Sequence, residues 1–169
     1  MLKPVVIIVL MLISNLARAE FEIKGVEVDK PANCAHINSL ELRKGTFSDP
    51  CSARKKNWFT TISFLNGQSS MMITQSPDGI VLSVVVSDFD FNLALASLTD
   101  KFGKPEIANS TIQNRMGAKF DQTEAIWREG EKSLSLTRHG IEIGKPVLIL
   151  SGNESSKEIK NSVKPSSNL

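Results

Sequence analysis

The sequence predicts an α+β fold in which two helices pack on one face of an antiparallel β-sheet, with a unit of one helix and one meander occurring twice. Two stretches rich in β-branched and aromatic residues, each divided by turn residues, predict the meanders. An amphipathic segment between them predicts one helix, and a shorter segment near the start predicts the other. The two halves share no residue-by-residue identity, so the repeat is one of architecture.

Turn residues divide the first meander into three strands. Trp58 to Leu65 is rich in aromatic and β-branched residues, and Asn66-Gly67 is a strong hairpin signal before Ser70 to Thr74. Pro77-Asp78-Gly79 predicts the next turn. Ile80 to Val86 is apolar at both alternate sets of positions, which is typical of a central strand that is covered on both faces.

The longer helix is predicted from about Phe89 to Phe102. Ser87 with Asp90 resembles a capping box at its start. Its apolar residues recur at spacings of four, three and four and form one stripe for packing on the sheet: Phe91, Leu95, Leu98 and Phe102. Gly103-Lys104-Pro105 predicts a helix end, because glycine can close the last turn and proline cannot continue it.

The second meander follows this helix. Ile107 to Gln113 predicts a strand, and Asn114 to Gly117 a turn. Lys119 to Arg128 and the cleanly alternating Ser133 to Arg138 predict two further strands. Val147 to Leu150 supplies a last strand after a proline.

The start of the chain predicts the shorter helix and a compartment. Phe21 to Val28 alternates as a strand, and Pro31 to Leu40 predicts a short helix with proline in its first turn. Residues 1–19 have the charged, apolar and small-x-small order of a signal peptide cleaved after Ala19. Their apolar run is shorter than the ~20 residues that cross a bilayer as a helix. We therefore expect a periplasmic or secreted protein with one domain over residues 20–151 and no transmembrane segment in the mature chain.

The charge of the mature chain disfavours nucleic acid as a partner. The sequence has 20 Lys and Arg against 18 Asp and Glu, and residues 1–19 hold Lys3, Arg18 and no acid, which leaves 18 against 18. A neutral chain has no general electrostatic tendency to bind nucleic acid or an anionic membrane. Residues 152–169 have few large apolar side chains and predict a flexible polar tail.

The two cysteines predict one disulfide, between Cys34 and Cys51. An oxidising compartment favours such a pair across a short loop, where the bond would stabilise the fold by roughly 3 kcal/mol. His36 and His139 are the two histidines, and together with the cysteines they offer the alternative of a Cys2His2 metal site. Their spacing matches no recurring zinc pattern, so we expect no metal and no cofactor.

One basic cluster is the first candidate for a functional surface. Arg54, Lys55 and Lys56 lie near Arg43 and Lys44 across the predicted disulfide. Such groups bind acidic protein surfaces or anionic envelope polymers. A solvated loop is the ordinary alternative.

Large apolar residues in the strands are the second candidate. Trp58 and Trp127 either anchor a partner or fill the packed face of the sheet. Met71 and Met72 are adjacent strand residues that must face opposite ways. One of the two methionines is therefore expected on the uncovered face, where it would offer an adaptable apolar contact.

The predicted helix ending at Leu98, the stop Phe102-Gly103-Lys104-Pro105, a strand with Trp127 and the strand Ser133 to Arg138 resemble those of small secreted bacterial proteins. The resemblance, over about residues 85–150, is to the β-lactamase-inhibitor-protein-like fold and to related outer-membrane assembly lipoproteins. It implies an open sheet face that is offered to another protein. We therefore expect a non-catalytic binding or accessory protein that acts on a protein or an envelope polymer.

Two other functions are hypotheses from different classes. A small secreted hydrolase would use His139 with a nearby carboxylate or serine, and it requires His139 to lie in a cleft. An envelope structural subunit would self-associate through an edge strand such as Val147 to Leu150.

Overall fold

The computed structural model describes residues 20–40, 57–140 and 142–155, and these residues form a mainly β structure. The chain runs through a small hairpin, a short helix, three strands, a longer helix and four further strands. The predicted α+β fold, with two helices on one face of the sheet and a helix-meander unit occurring twice, is therefore wrong. Strands make up most of the described secondary structure, and the two helices are not equivalent.

Seven strands form one antiparallel sheet. The first three are β3 (Asn57–Phe64), β4 (Gly67–Gln75) and β5 (Val81–Ser87). The other four are β6 (Glu106–Gln113), β7 (Lys119–Glu129), β8 (Lys132–Thr137) and β9 (Val147–Ser151). Their order across the sheet is β3-β4-β5-β9-β8-β7-β6. The predicted strands of both meanders are confirmed, but β9 joins the meanders at the centre, so its predicted place at an edge is wrong.

A separate layer covers one face of the sheet. It consists of β1 (Glu22–Ile23), β2 (Val26–Glu27), α1 (Cys34–Ser39) and α2 (Phe91–Phe102). Phe21 stands edge-on to Phe102 with ring centroids 4.9 Å apart, which ties the start of the chain to the end of α2. Alternate strand residues meet this layer in the core, among them Ile62, Met71, Ile73, Val84, Val86, Leu134, Leu136, Leu148 and Leu150.

Local backbone features explain why the N-terminal elements differ from the prediction. The predicted strand from Phe21 to Val28 turns back at Lys24-Gly25, where both residues have positive φ. Pro31 forms a bridge to Ile80 instead of opening a helix, so α1 begins only at Cys34. α1 buries a single residue, Ile37, and is too short for an apolar face like that of α2.

The ends of α2 fix its position on the sheet. Asp90 is the N-cap, and its carboxylate accepts the N–H of Leu93 at 2.7 Å, so the expected capping role of Ser87 is wrong. Gly103 ends the helix at φ 82° and ψ −171°, which confirms the predicted helix stop. The indole N–H of Trp127 donates to the carbonyl of Gly103 at 2.7 Å and attaches the helix end to β7.

The folded part extends past Ser151, where the sequence predicted its end. Gly152 is buried, and the N–H groups of Asn153 and Glu154 donate to the Asp29 carboxylate at 2.9 and 3.0 Å. A Cβ at residue 152 would overlap that carboxylate. Glycine is therefore required where the chain leaves β9, and Asp29 ties the covering layer to this exit.

Candidate functional site

The face of the sheet opposite the core carries one row of apolar side chains. Opposed residues of neighbouring strands point to the same face, so the pairing register traces the row from strand to strand. It runs Phe59, Met72, Val85, Ile149, Ser135 and Ile126. We call its five apolar members the apolar stripe, and we call this face the open face.

The rows on either side of the apolar stripe are mostly small and polar. One row consists of Asn57, Thr74, Ser83, Ser151, Ser133 and Arg128. The other consists of Thr61, Ser70, Ser87, Val147, Thr137 and Glu124. A sheet with one solvated face normally carries polar residues at its outward positions. Apart from Val147, both flanking rows follow that rule, and the apolar stripe breaks it.

The apolar stripe is accessible. Phe59 is 54% exposed, and Met72, Val85, Ile149 and Ile126 are half-buried. Among the described residues, both helices and the β1–β2 hairpin contribute their buried side chains to the core on the other face. The open face is also nearly free of charge over the five strands from β3 to β8 in sheet order, since the charged members of its three rows are Glu124 and Arg128 on β7 and Glu106, opposite Ile126, on β6.

Met71 and Met72 illustrate how the two faces divide. Met71 is 1% exposed and belongs to the core, whereas Met72 is half-buried in the apolar stripe. This confirms that one of the pair lies on the open face. Trp58 lies on the core face and is 7% exposed. Its suggested role as a partner anchor therefore has no support, because the side chain fills the core.

The other residues proposed from the sequence lie outside the described residues. Arg43, Lys44, Arg54, Lys55 and Lys56 all fall in the range 41–56. The basic cluster therefore stays a prediction. Cys34 begins α1, but Cys51 lies in the same range, so the disulfide between them also stays a prediction.

His139 is held in place by a hydrogen-bonded turn. Its Nδ1 accepts the N–H of Gly144 at 2.9 Å, which leaves the ring proton of the neutral form on Nε2. The side-chain amide of Gln122 pairs with the backbone of His139, accepting its N–H at 2.9 Å and donating to its carbonyl at 2.8 Å. Within the described residues, no serine or carboxylate is hydrogen-bonded to this imidazole, and the hydrolase hypothesis stays a prediction.

His36 lies in a cavity of 140 Å³ between the hairpin and α1. Its Nε2 is 2.6 Å from the carbonyl oxygen of Lys24, and Lys30 forms an ion pair with Glu27 beside it. The hydrogen bond to Glu27 raises the pKa of Lys30. The polar groups of this cavity thus bind one another, and their contacts stabilise the β1–β2 hairpin. In the described part of the chain, no three His, Cys, Asp or Glu side chains are grouped as a metal site requires.

An exposed ion pair connects the first described residue to the sheet. Lys132 on β8 approaches the Glu20 carboxylate at 3.2 Å, and Lys30 approaches it at 3.5 Å. The hydrogen bond from Lys132 lowers the pKa of Glu20. Next to it, the N–H of Phe21 donates to the Glu129 carboxylate at 3.3 Å. The chain is therefore attached to the sheet directly after residue 19.

The sequence did not reveal the apolar stripe, because the stripe depends on strand order. Val85 sits in a run whose apolar residues predict cover on both faces, but Val81, Val84 and Val86 are the members that belong to the core. Ile149 lies beside Val85 because β9 is inserted next to β5. An apolar residue at the outward position of several strands was the available signal, but their alignment in one row requires the register.

Family models, curated proteins and solved structures were all compared with this chain, and none of them matches it. The resemblance to the β-lactamase-inhibitor-protein-like fold therefore stays a prediction. Within residues 20–40, 57–140 and 142–155, no helix has the length and apolar character needed to cross a bilayer.

Proposed function

We propose that this protein is a non-catalytic binding protein of the periplasm or the extracellular space, and that it holds a partner protein against the apolar stripe. The observation that carries the proposal is the apolar row on a face whose neighbouring rows are Ser- and Thr-rich. Exposed apolar surface rimmed by polar groups is a mark of protein interaction sites.

The chemistry of the open face favours a protein over an anionic polymer. A partner that covers the stripe with apolar side chains would remove its surface from water. This burial would stabilise the complex by about 25 cal/mol for each Å² of apolar surface buried. Phe59 is its most exposed member, and Met72 can adapt its side chain to the partner. The hydroxyl groups of the flanking rows supply hydrogen bonds at the rim. An anionic polymer would need a basic surface, and the described residues of the open face carry no charged side chain on the five strands from β3 to β8 in sheet order.

The proposed compartment rests on the signal peptide predicted at residues 1–19. The predicted cleavage position is supported by two contacts of the first described residues, Glu20 with Lys132 and Phe21 with Glu129. Cleavage after Ala19 would leave both contacts intact. N-terminal sequencing of the protein purified from the periplasm or the medium tests this step. We expect the sequence to begin at Glu20, and an uncleaved N-terminus would contradict it.

Site-specific photocrosslinking in cells tests the binding face. A photoreactive phenylalanine at Met72 should capture a discrete partner, because residue 72 lies in the apolar stripe. The matched control carries the same group at Ala96, an exposed residue of α2 on the covering layer. Capture from residue 72 and not from residue 96 supports the proposal. Equal capture from both positions, or none from residue 72, contradicts it.

A further inference from the structure

The edge strand β6 is the most exposed strand of the sheet. Seven of its eight residues are exposed, and Ile107 retains 47% of its accessible surface. β7 is its single strand neighbour among the described residues. The register between β6 and β7 runs through eight residue pairs with no shift. One long edge of the sheet is therefore regular and accessible.

The backbone of β6 presents four residues outward. The N–H of Asn114 donates to the carbonyl of Ala118 at 3.0 Å, so Asn114 faces β7. Backbone groups alternate in direction along an antiparallel strand. The outward residues are then Ile107, Asn109, Thr111 and Gln113. A second hydrogen bond agrees with this assignment. The carbonyl of Thr123 accepts the N–H of Arg138 at 3.0 Å, so the backbone of Thr123 faces β8 and does not bond to Asn109, which lies opposite it on β6.

β6 lacks the features that normally block an edge strand. Proteins protect exposed edges with lysine, with proline inside the strand, or with bulges. β6 has the sequence EIANSTIQ, in which Glu106 at the first position is the one charged residue. Glu106 is itself 3.6 Å from Arg128 of β7, in an exposed ion pair. The remainder of the edge carries small, polar and β-branched side chains that suit strand pairing.

We infer that β6 pairs antiparallel with β6 of a second copy of this chain, about a twofold axis at Ser110. The outward residues of one copy must lie opposite the outward residues of the other, because these residues carry the free backbone groups. One register does this for all four: Ile107 of each copy lies opposite Gln113 of the other, and Asn109 of each copy lies opposite Thr111 of the other. Each opposed pair exchanges two backbone hydrogen bonds, which gives about eight across the interface. Registers centred on Asn109 or Thr111 leave outward residues unpaired.

The side chains are compatible with this register. On the other set of positions, Ala108 faces Ile112 and Ser110 faces Ser110 of the second copy. Glu106 faces Asn114, so no like charges are opposed, and the Arg115 that follows brings an opposite charge to each end of the interface. A second copy is favoured over an unrelated partner because the edge is complementary to itself in charge and backbone direction.

In the dimer, the two sheets would form one continuous sheet. A twofold axis within one antiparallel sheet keeps corresponding faces on the same side. The open faces of both copies would therefore form one surface. This pairing is independent of the partner proposed for the apolar stripe, since it uses backbone groups of a different strand.

Sedimentation velocity over a range of protein concentrations tests the pairing. We expect the mature protein to form dimers reversibly. Thr111→Pro removes an outward N–H from each copy and places a ring in the interface, while the bonds from β6 to β7 remain. It should raise the dimer dissociation constant by about tenfold or more. Thr111→Ala keeps the backbone and should dimerise like the wild type. A monomeric wild type, or unchanged dimerisation of Thr111→Pro, overturns the inference.

Cysteine crosslinking tests the register even if the proline variant fails to fold. Ser110→Cys would place two Cα atoms about 4.5 Å apart in a non-hydrogen-bonded pair, within disulfide range. Ala108→Cys is the matched control on the same side of the strand, and its two copies would lie about 13 Å apart along the strands. Under mild oxidation, covalent dimers should form with Ser110→Cys and not with Ala108→Cys. Equal yields would overturn the register.

Discussion

The two faces of the sheet are made from alternate residues of the same strands, yet they follow different rules. On β9, Leu148 and Leu150 are completely buried under the covering layer, whereas Ile149 between them is half-buried on the open face. Core burial accounts for the leucines, because each removes a full side chain from water. It does not account for Ile149 or for the row that Ile149 joins. The difference separates residues that the fold needs from residues available for binding.

The largest expected effect sharpens this comparison within one strand. Leu148→Ala should lower the free energy of unfolding by about 3 kcal/mol, because it removes buried methyl groups and leaves a cavity. Chemical denaturation monitored by tryptophan fluorescence measures it. Ile149→Thr in the same strand is the control, since it keeps a β-branched side chain. A similar loss in both variants would contradict the division of the faces.

The second effect concerns the attachment of the covering layer to the end of β9. Gly152→Ala should cost about 2 kcal/mol, because the added methyl group overlaps the Asp29 carboxylate. A double-mutant cycle separates this overlap from other causes. In an Asp29→Ala background, Gly152→Ala should cost much less, because the overlapping atoms are gone. Equal costs in both backgrounds would show that the carboxylate is not responsible.

The third effect tests the end of α2, which covers the sheet. Gly103→Val should destabilise the fold by about 1 kcal/mol or more, because residue 103 has a backbone conformation that is favourable for glycine alone. Apart from the two chain neighbours, no residue has an atom within 4 Å of a Cβ placed there, so Gly103→Ala should cost nearly as much. An unchanged denaturation midpoint in either variant would contradict the interpretation of Gly103 as the helix stop.

The fourth effect is smaller and belongs to the open face. Val85→Thr combined with Ile149→Thr should cost about 1 kcal/mol or less, since both side chains stay β-branched and neither fills the core. Thermal unfolding compares this variant with Ser83→Thr combined with Ser151→Thr, in the next row of the same two strands. A loss as large as that of Leu148→Ala would assign the stripe to folding.

The smallest effect involves the ion pair between the covering layer and β8. Lys132 lowers the pKa of Glu20, so the pair stabilises the fold above the unfolded pKa of that carboxyl group, and this stability is lost as the pH falls through the folded pKa. Melting temperatures should therefore differ slightly between wild type and Glu20→Gln near neutral pH and converge in acid. A constant difference at all pH values would contradict this assignment.

Local elements were predictable from the sequence, and their assembly was not. The helix from Phe91 and the turn at Gly117 follow from side-chain spacing and glycine chemistry, which act over a few residues. The place of β9 depends on pairing between distant strands, which no local pattern encodes. The same limit explains why the turn at Lys24-Gly25, which divides the predicted first strand, was not predicted. It also explains why the sequence did not predict the apolar stripe. The buried position of Trp58 also required the register of β3 with β4.

The central claim is that the apolar stripe binds a partner protein, and one matched pair of variants tests it most directly. Tagged protein is crosslinked in cells and recovered as wild type, as Val85→Thr with Ile149→Thr, and as Ser83→Thr with Ser151→Thr. We predict a discrete partner with the wild type and with the serine-row variant, and its loss when the stripe is made polar although that variant remains folded. Undiminished recovery of the partner with the stripe variant would contradict the claim.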